Sequence, residues 1–188
     1  MTTTQQDQDV IELLCDQHNE IKSLFAEVRS TTGEDRKHAF HQLVRLLAVH
    51  ESAEELIVHP ASRHDASDAV VDACLHEENE AKRELTNLYA LGTDAHDFDE
   101  VFAAFERKVI AHATHEEQQE FPVLRRNTDP AKLRRMAGAV RAAEAVAPTR
   151  PHAGMGESAK TMVLVGPPMA IFDRTRDAVR DWHRKANR

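Results

Sequence analysis

Two stretches of the chain carry the same chemistry-bearing pattern. His50, Glu54, Glu55 and Pro60 recur as His112, Glu116, Glu117 and Pro122, so HxxxEExxxxP appears twice, 62 residues apart. On a helix, residues four apart are separated by about 40° around the axis and roughly 6 Å along it, so each HxxxE presents an imidazole and a carboxylate on one face. Two such helices facing each other enclose nitrogen and hard oxygen donors suited to iron, manganese or zinc, and helical bundles build di-metal centres in this way. One HxxxE alone reads as a solvated acidic face. The apolar neighbours decide otherwise: Phe40, Leu43, Leu47, His50, Glu54 and Ile57 share one helical stripe, and Val101, Phe105, His112 and Glu116 share the other. Carboxylates set into an apolar seam are costly unless a bound cation balances them.

Positioning two motif helices calls for partners. Of the 188 residues, 41% are hydrophobic and 30% charged, with only 6 Gly and 7 Pro, which favours helices over sheets. The expected fold is all-α: an antiparallel up-down four-helix bundle over residues 7–124 and a basic C-terminal helical extension, 125–188, packed on it. The first helix is predicted from about Asp7 to Ser30, with Ile11, Leu14, His18, Ile21, Phe25 and Val28 on its seam. The second spans Glu34 to Val58, the third Ala66 to Leu91 and the fourth Asp97 to Glu120, Pro60 and Pro122 being read as terminators of the two motif helices. A fifth helix runs from Pro130 to about Val146; a Pro/Gly-rich linker (147–156) and an amphipathic segment from Met169 to His183 follow.

Two further metal ligands come from the partner helices. His18 sits mid-seam in the first. On the third, the seam Val71, Cys74, Glu78, Ala81, Leu85 and Leu88 contains Glu78, and aligning Glu78-Asn79-Glu80-Ala81-Lys82 with His18-Asn19-Glu20-Ile21-Lys22 makes the chain a duplicated helix pair with Glu78 in the place of His18. His76 is the alternative ligand, although it lies about 160° around the helix from Glu78. The metal set is therefore His18, His50, Glu54, Glu78, His112 and Glu116, with His59, His115 and Gln119 near enough to hydrogen-bond it. Cys15 and Cys74 read as reduced core thiols.

Charge is divided. Residues 1–124 carry 10 Lys/Arg against 26 Asp/Glu, and residues 125–188 carry 14 against 6. An acidic body argues against a nucleic-acid partner, and the basic tail lacks interleaved aromatics for base stacking, so it is expected to dock on the body. No apolar run is long enough to span a membrane and the N-terminus has no signal character, so the expected compartment is the cytoplasm.

Over about residues 10–124 the chain resembles the hemerythrin-like, HHE cation-binding family, through His18, His50-xxx-Glu54, His112-xxx-Glu116 and the two closing prolines. The resemblance implies a four-helix bundle holding two non-haem iron ions bridged by carboxylates and an oxygen atom. It further implies reaction with O₂, hydrogen peroxide or nitric oxide in oxidative or nitrosative stress defence, with a redox partner the sequence does not identify. The chain departs from the family where the third helix aligns Glu78 in place of a usual His. A set of three His and three Glu is nearer to oxidase-type centres than to a reversible O₂ carrier. Peroxide-decomposing or oxidase-type activity, a sensor of O₂, NO or iron, and a structural zinc bundle all remain open on this reading.

Overall fold

The computed structural model describes residues 8–63 and 68–146. The expected linker at 147–156, the amphipathic segment at 169–183 and the predicted helix starts at Asp7 and Ala66 lie outside the described residues. Within them the chain forms α1 (Val10–Ser30), α2 (Gly33–Ala53), α3 (His59–Ser62), α4 (Asp68–Leu91), α5 (Phe98–His115), α6 (Phe121–Asn127) and α7 (Pro130–Val146). Two π-helical turns, π1 (Glu54–Val58) and π2 (Glu116–Glu120), join α2 to α3 and α5 to α6. No strand occurs among the described residues. α1 packs on α2 and on α5, and α4 on α5, closing an antiparallel four-helix bundle with a helical extension.

Local signals explain the boundaries. Asp9 caps α1 through a reciprocal pair, accepting from the Glu12 amide at 3.0 Å while Glu12 Oε2 accepts from the Asp9 amide at 3.2 Å. Gly33, at φ +60°, takes the left-handed turn between α1 and α2, and Gly92, at φ +81°, ends α4. Asp129 Oδ1 accepts from the Ala131 and Lys132 amides, with Pro130 at the start of α7.

The prolines do not end their helices. His59 N–H donates to Glu54 O and Phe121 N–H to Glu116 O, each an i→i−5 bond, and Pro60 and Pro122 then sit in the first turn of α3 and α6. The wider turn carries the backbone past the position where a proline lacks its donor and its ring would clash, so each rod continues.

Two apolar clusters bracket a polar layer. One holds Phe25, Phe40, Leu43, Leu85, Phe98, Phe102 and Phe105; the other holds Val10, Leu14, Ala53, Ile57, Phe121 and Leu124. Phe102, not the expected Val101, lies on the α5 seam; Val101 is 40% exposed. The inward stripe 98, 102, 105, 109, 112, 116 follows the 3–4 spacing that a helix requires, and Val101 falls beside it. α7 completes the second cluster with Leu133, Met136, Ala137 and Val140. α7 therefore packs by burying apolar surface, with polar contacts at its edge: Arg125, just before it, pairs with Asp9 at 3.2 Å and Arg141 donates to Gln8, while Arg134 and Arg135 stay exposed.

Candidate metal centre

The polar layer is built at the break between the two apolar clusters. α1 contributes His18, between Leu14 and Ile21; α2 contributes His50 and π1 Glu54; α4 contributes Glu78; α5 contributes His112 and π2 Glu116. All six side chains are buried. Donor atoms of His18, His50, Glu54 and Glu116 lie within 4.8 Å of one another, and so do donors of Glu54, Glu78, His112 and Glu116. The two sets share Glu54 and Glu116.

Both carboxylate oxygens of Glu54 and of Glu116, Nε2 of His18 and of His112, and Oε2 of Glu78 are buried without a hydrogen-bond partner. Leaving that many polar atoms unsatisfied in one layer is incompatible with ordinary native packing. The residues fit a pair of metal ions, which would satisfy these atoms together.

The outer nitrogen of each imidazole is already held. His18 Nδ1 donates to Glu117 Oε1 at 2.8 Å, His50 Nδ1 to Gln17 Oε1 at 2.7 Å and His112 Nδ1 to Glu77 Oε2 at 2.9 Å. This fixes the tautomer and turns each Nε2 inward, 3.4 Å from Glu116, Glu54 and Glu116 respectively. His59, at the end of π1, bridges Glu78 Oε1 at 2.5 Å and Glu120 Oε1 at 2.9 Å. His115 reaches Glu77 at 3.2 Å. Gln119, expected near the ligands, is exposed, and the buried Glu120 takes the inward position. His76 is also exposed and meets only Glu80, at 3.8 Å, so the seam position on α4 belongs to Glu78. Gln17, Glu77, Glu120 and Glu51 were not singled out from the sequence. Gln17 and Glu77 each precede a seam ligand by one residue, which is the signal that could have found them.

Electrostatics mark the layer as one built for positive charge. Burial pushes Glu54 well above the usual carboxylate range, with Glu116 and Glu78 adding to it, and burial raises Glu78 although its hydrogen bond with His59 opposes the shift. Glu51 rises to about 8 through burial, against the pull of Lys82, which is ion-paired with Glu51, Glu55 and Glu78. Burial and the neighbouring His18 and His112 push His50 down. Burial also opposes charge on His112 and His59, but Glu116 and Glu77 lift the first to about 9, and hydrogen bonds to Glu120 and Glu78 lift the second to about 10. Cys74 comes near His112 and Glu116, but burial raises its thiol, which disfavours the thiolate a metal needs.

A small recess, with ≈ 10 Å³ of free volume and so room for about one water-sized molecule, reaches this layer between Ile21, Leu47, Ala81 and Val109, with His18, His50 and His112 on its wall.

Fold and layer together define a cation-binding helical bundle. The pattern of the hemerythrin HHE cation binding domain matches residues 9–124, and the chain belongs to that family. A crystal structure of a hemerythrin HHE cation binding domain-containing protein from Mycobacterium kansasii shares the fold, with a TM-score of 0.65 and 22% identity over 72% of this chain and 84% of that one. The chain is also 24% identical over 140 residues to a protein from Nostoc sp. named DNA nickase, covering 74% of this chain but 40% of the relative. No helix among the described residues is long and apolar enough to cross a membrane.

Proposed function

We propose that the protein binds two non-haem iron ions and reacts with O₂, hydrogen peroxide or nitric oxide in oxidative or nitrosative stress defence. One observation carries this reading: two four-residue donor sets share Glu54 and Glu116. His18 and His50 would hold one ion, Glu78 and His112 the other, and the two shared carboxylates would link them. Iron, when bound, supplies the redox chemistry. The chain's own part is to present donors in fixed tautomers, to keep bulk water out with apolar clusters on both sides, and to admit a reactant of about water's size through the narrow recess.

The test is iron content per chain together with the absorption spectrum before and after reduction, then peroxide consumption by the loaded protein. Zinc alone, or one metal per chain, counts against the reading. A sensor reading draws on a different observation: α7 packs against π1, which begins at Glu54, so a change at the layer could move the extension. Protease sensitivity of α7 that changes with iron or its oxidation state, without peroxide turnover, favours the sensor. The nicking named for the Nostoc relative finds little support here. The net −16 of residues 1–124 disfavours a nucleic-acid backbone on the bundle, whereas the net +8 of residues 125–188 does not. Relaxation of supercoiled plasmid by the purified protein would reverse that judgement.

A further inference from the structure

A fourth imidazole in the polar layer shares the outer anchoring of the other three. In His18, His50 and His112 the outer Nδ1 is anchored on an acceptor from a neighbouring helix, and Nε2 faces a carboxylate of the layer. His59 repeats the outer anchor, its Nδ1 on Glu120 Oε1 at 2.9 Å, while its inner Nε2 is hydrogen-bonded to Glu78 Oε1 at 2.5 Å, a bond that an ion would replace. It is buried, and donor atoms of His59, Glu116 and Glu120 fall within 4.8 Å of one another, so it also adjoins one of the two shared carboxylates. An imidazole whose outer nitrogen is locked by a buried carboxylate is a metal ligand's arrangement, because the lock selects the tautomer and raises the basicity of the inner nitrogen.

The duplication makes the placement intelligible. Sixty-two residues beyond His59 stands Phe121, whose ring stacks on His18 at 5.9 Å between centroids. In one half an imidazole on the long helix is backed by an apolar ring after the π turn. In the other half a carboxylate on the long helix, Glu78, is faced by an imidazole after the π turn. The donor sets carry two imidazoles, His18 and His50, on one side and only His112 on the other. We infer that His59 is a seventh protein ligand, the second imidazole of the ion held by Glu78 and His112, binding through Nε2. This rests on the two-iron reading above.

The experiment loads the full-length protein with ⁵⁷Fe(II) under nitrogen, oxidises it in air, and records iron content and the Mössbauer spectrum. The wild type should hold about two irons per chain, and His59→Ala about one, with one quadrupole doublet lost and the other kept. His59→Gln can still donate a hydrogen bond to Glu78 but offers no imidazole, so it should behave as His59→Ala does. Imidazole added to His59→Ala should restore the second iron. If His59→Gln keeps two irons and both doublets unaltered, His59 only positions Glu78 and the inference is overturned. Melting of the metal-free variants controls for folding, and should the alanine unfold the chain, the glutamine variant decides. Fewer than two irons in the wild type would instead overturn the two-iron reading itself.

Discussion

The α1–α2 half and the α4–α5 half of the bundle place the same positions around the polar layer and fill them differently. Gln17 anchors His50, and its counterpart Glu77 anchors His112; Lys22 approaches Glu117 at 3.8 Å, and Lys82 pairs with Glu55. The frame is duplicated, yet its charge is not. A neutral amide stands behind His50, whose proton affinity falls, while carboxylates on both sides of His112 lift it to about 9. α7 then packs mainly on the first half, on α1, α2 and π1, and shares an apolar cluster with Phe121 and Leu124 of α6. Backbone symmetry thus repeats the donor positions, and side-chain asymmetry would make the two proposed ions inequivalent.

The largest effect should come from the residues the halves share. Glu54→Ala or Glu116→Ala is expected to lose most of both irons and to close the gap between metal-loaded and metal-free melting temperatures, a gap worth about 4 kcal/mol at a free-metal level of 1,000 Kd. Loss of one iron only, by metal analysis, would show that the halves bind independently. Next, Leu133→Ala should destabilise the protein by about 2–5 kcal/mol in chemical denaturation while leaving iron content unchanged, since it leaves a cavity in the apolar cluster that α7 completes away from the polar layer.

Glu77→Gln removes the charge difference between the anchors, and should weaken iron binding by about 10–100-fold and bring His112 down toward its ordinary range. The sign for the metal-free protein follows. His112 at about 9 and His59 at about 10, both above 6.5, contribute stability that is full below pH 6.5 and lost as pH rises through those values. Glu51, raised from 4.5 to about 8, loses its contribution as pH rises between those values; His50 and His41, both lowered, run the other way and favour the fold as pH rises to 6.5, and the lowered Glu77 and Glu120 do so only below pH 4.5. The melting temperature of metal-free protein should fall between about pH 7 and 9, and less steeply in Glu77→Gln. The smallest effect is expected for His76→Ala: on the exposed face of α4 it should change stability by less than about 0.5 kcal/mol and leave the iron spectrum unaltered.

Much of this was legible because an α-helix advances evenly. At 100° per residue, the apolar stripes placed His18, His50, Glu78 and His112 on inward faces, and the structure puts each of them in the layer. The same evenness limited the rest. His59 was read only as a residue near the ligands, because on an α-helical count it lies five residues from Glu54, about 140° around the axis. The π turn spends an extra residue there and brings His59 over Glu54; π2 does the same for Phe121 over Glu116. Proline was taken for a stop because the turn that accommodates it has no propensity signature of its own. The apolar part of α7's packing was not read because net charge is visible in composition, whereas the buried face of Leu133, Met136 and Val140 shows only once a partner is known.

Each motif helix can also be described as an α-helix carrying one spare residue. Deleting a single residue within Glu55–Val58 would let the rod wind back to regular spacing, turn His59 and all that follows through about 100°, and leave Glu54 where it is. A scan by substitution would pass over this, because Leu56 replaced by alanine still counts as one residue. The placement of His59 against the polar layer is therefore encoded in chain length as much as in residue identity, and an in-frame loss of one codon would disturb it with every buried donor still present.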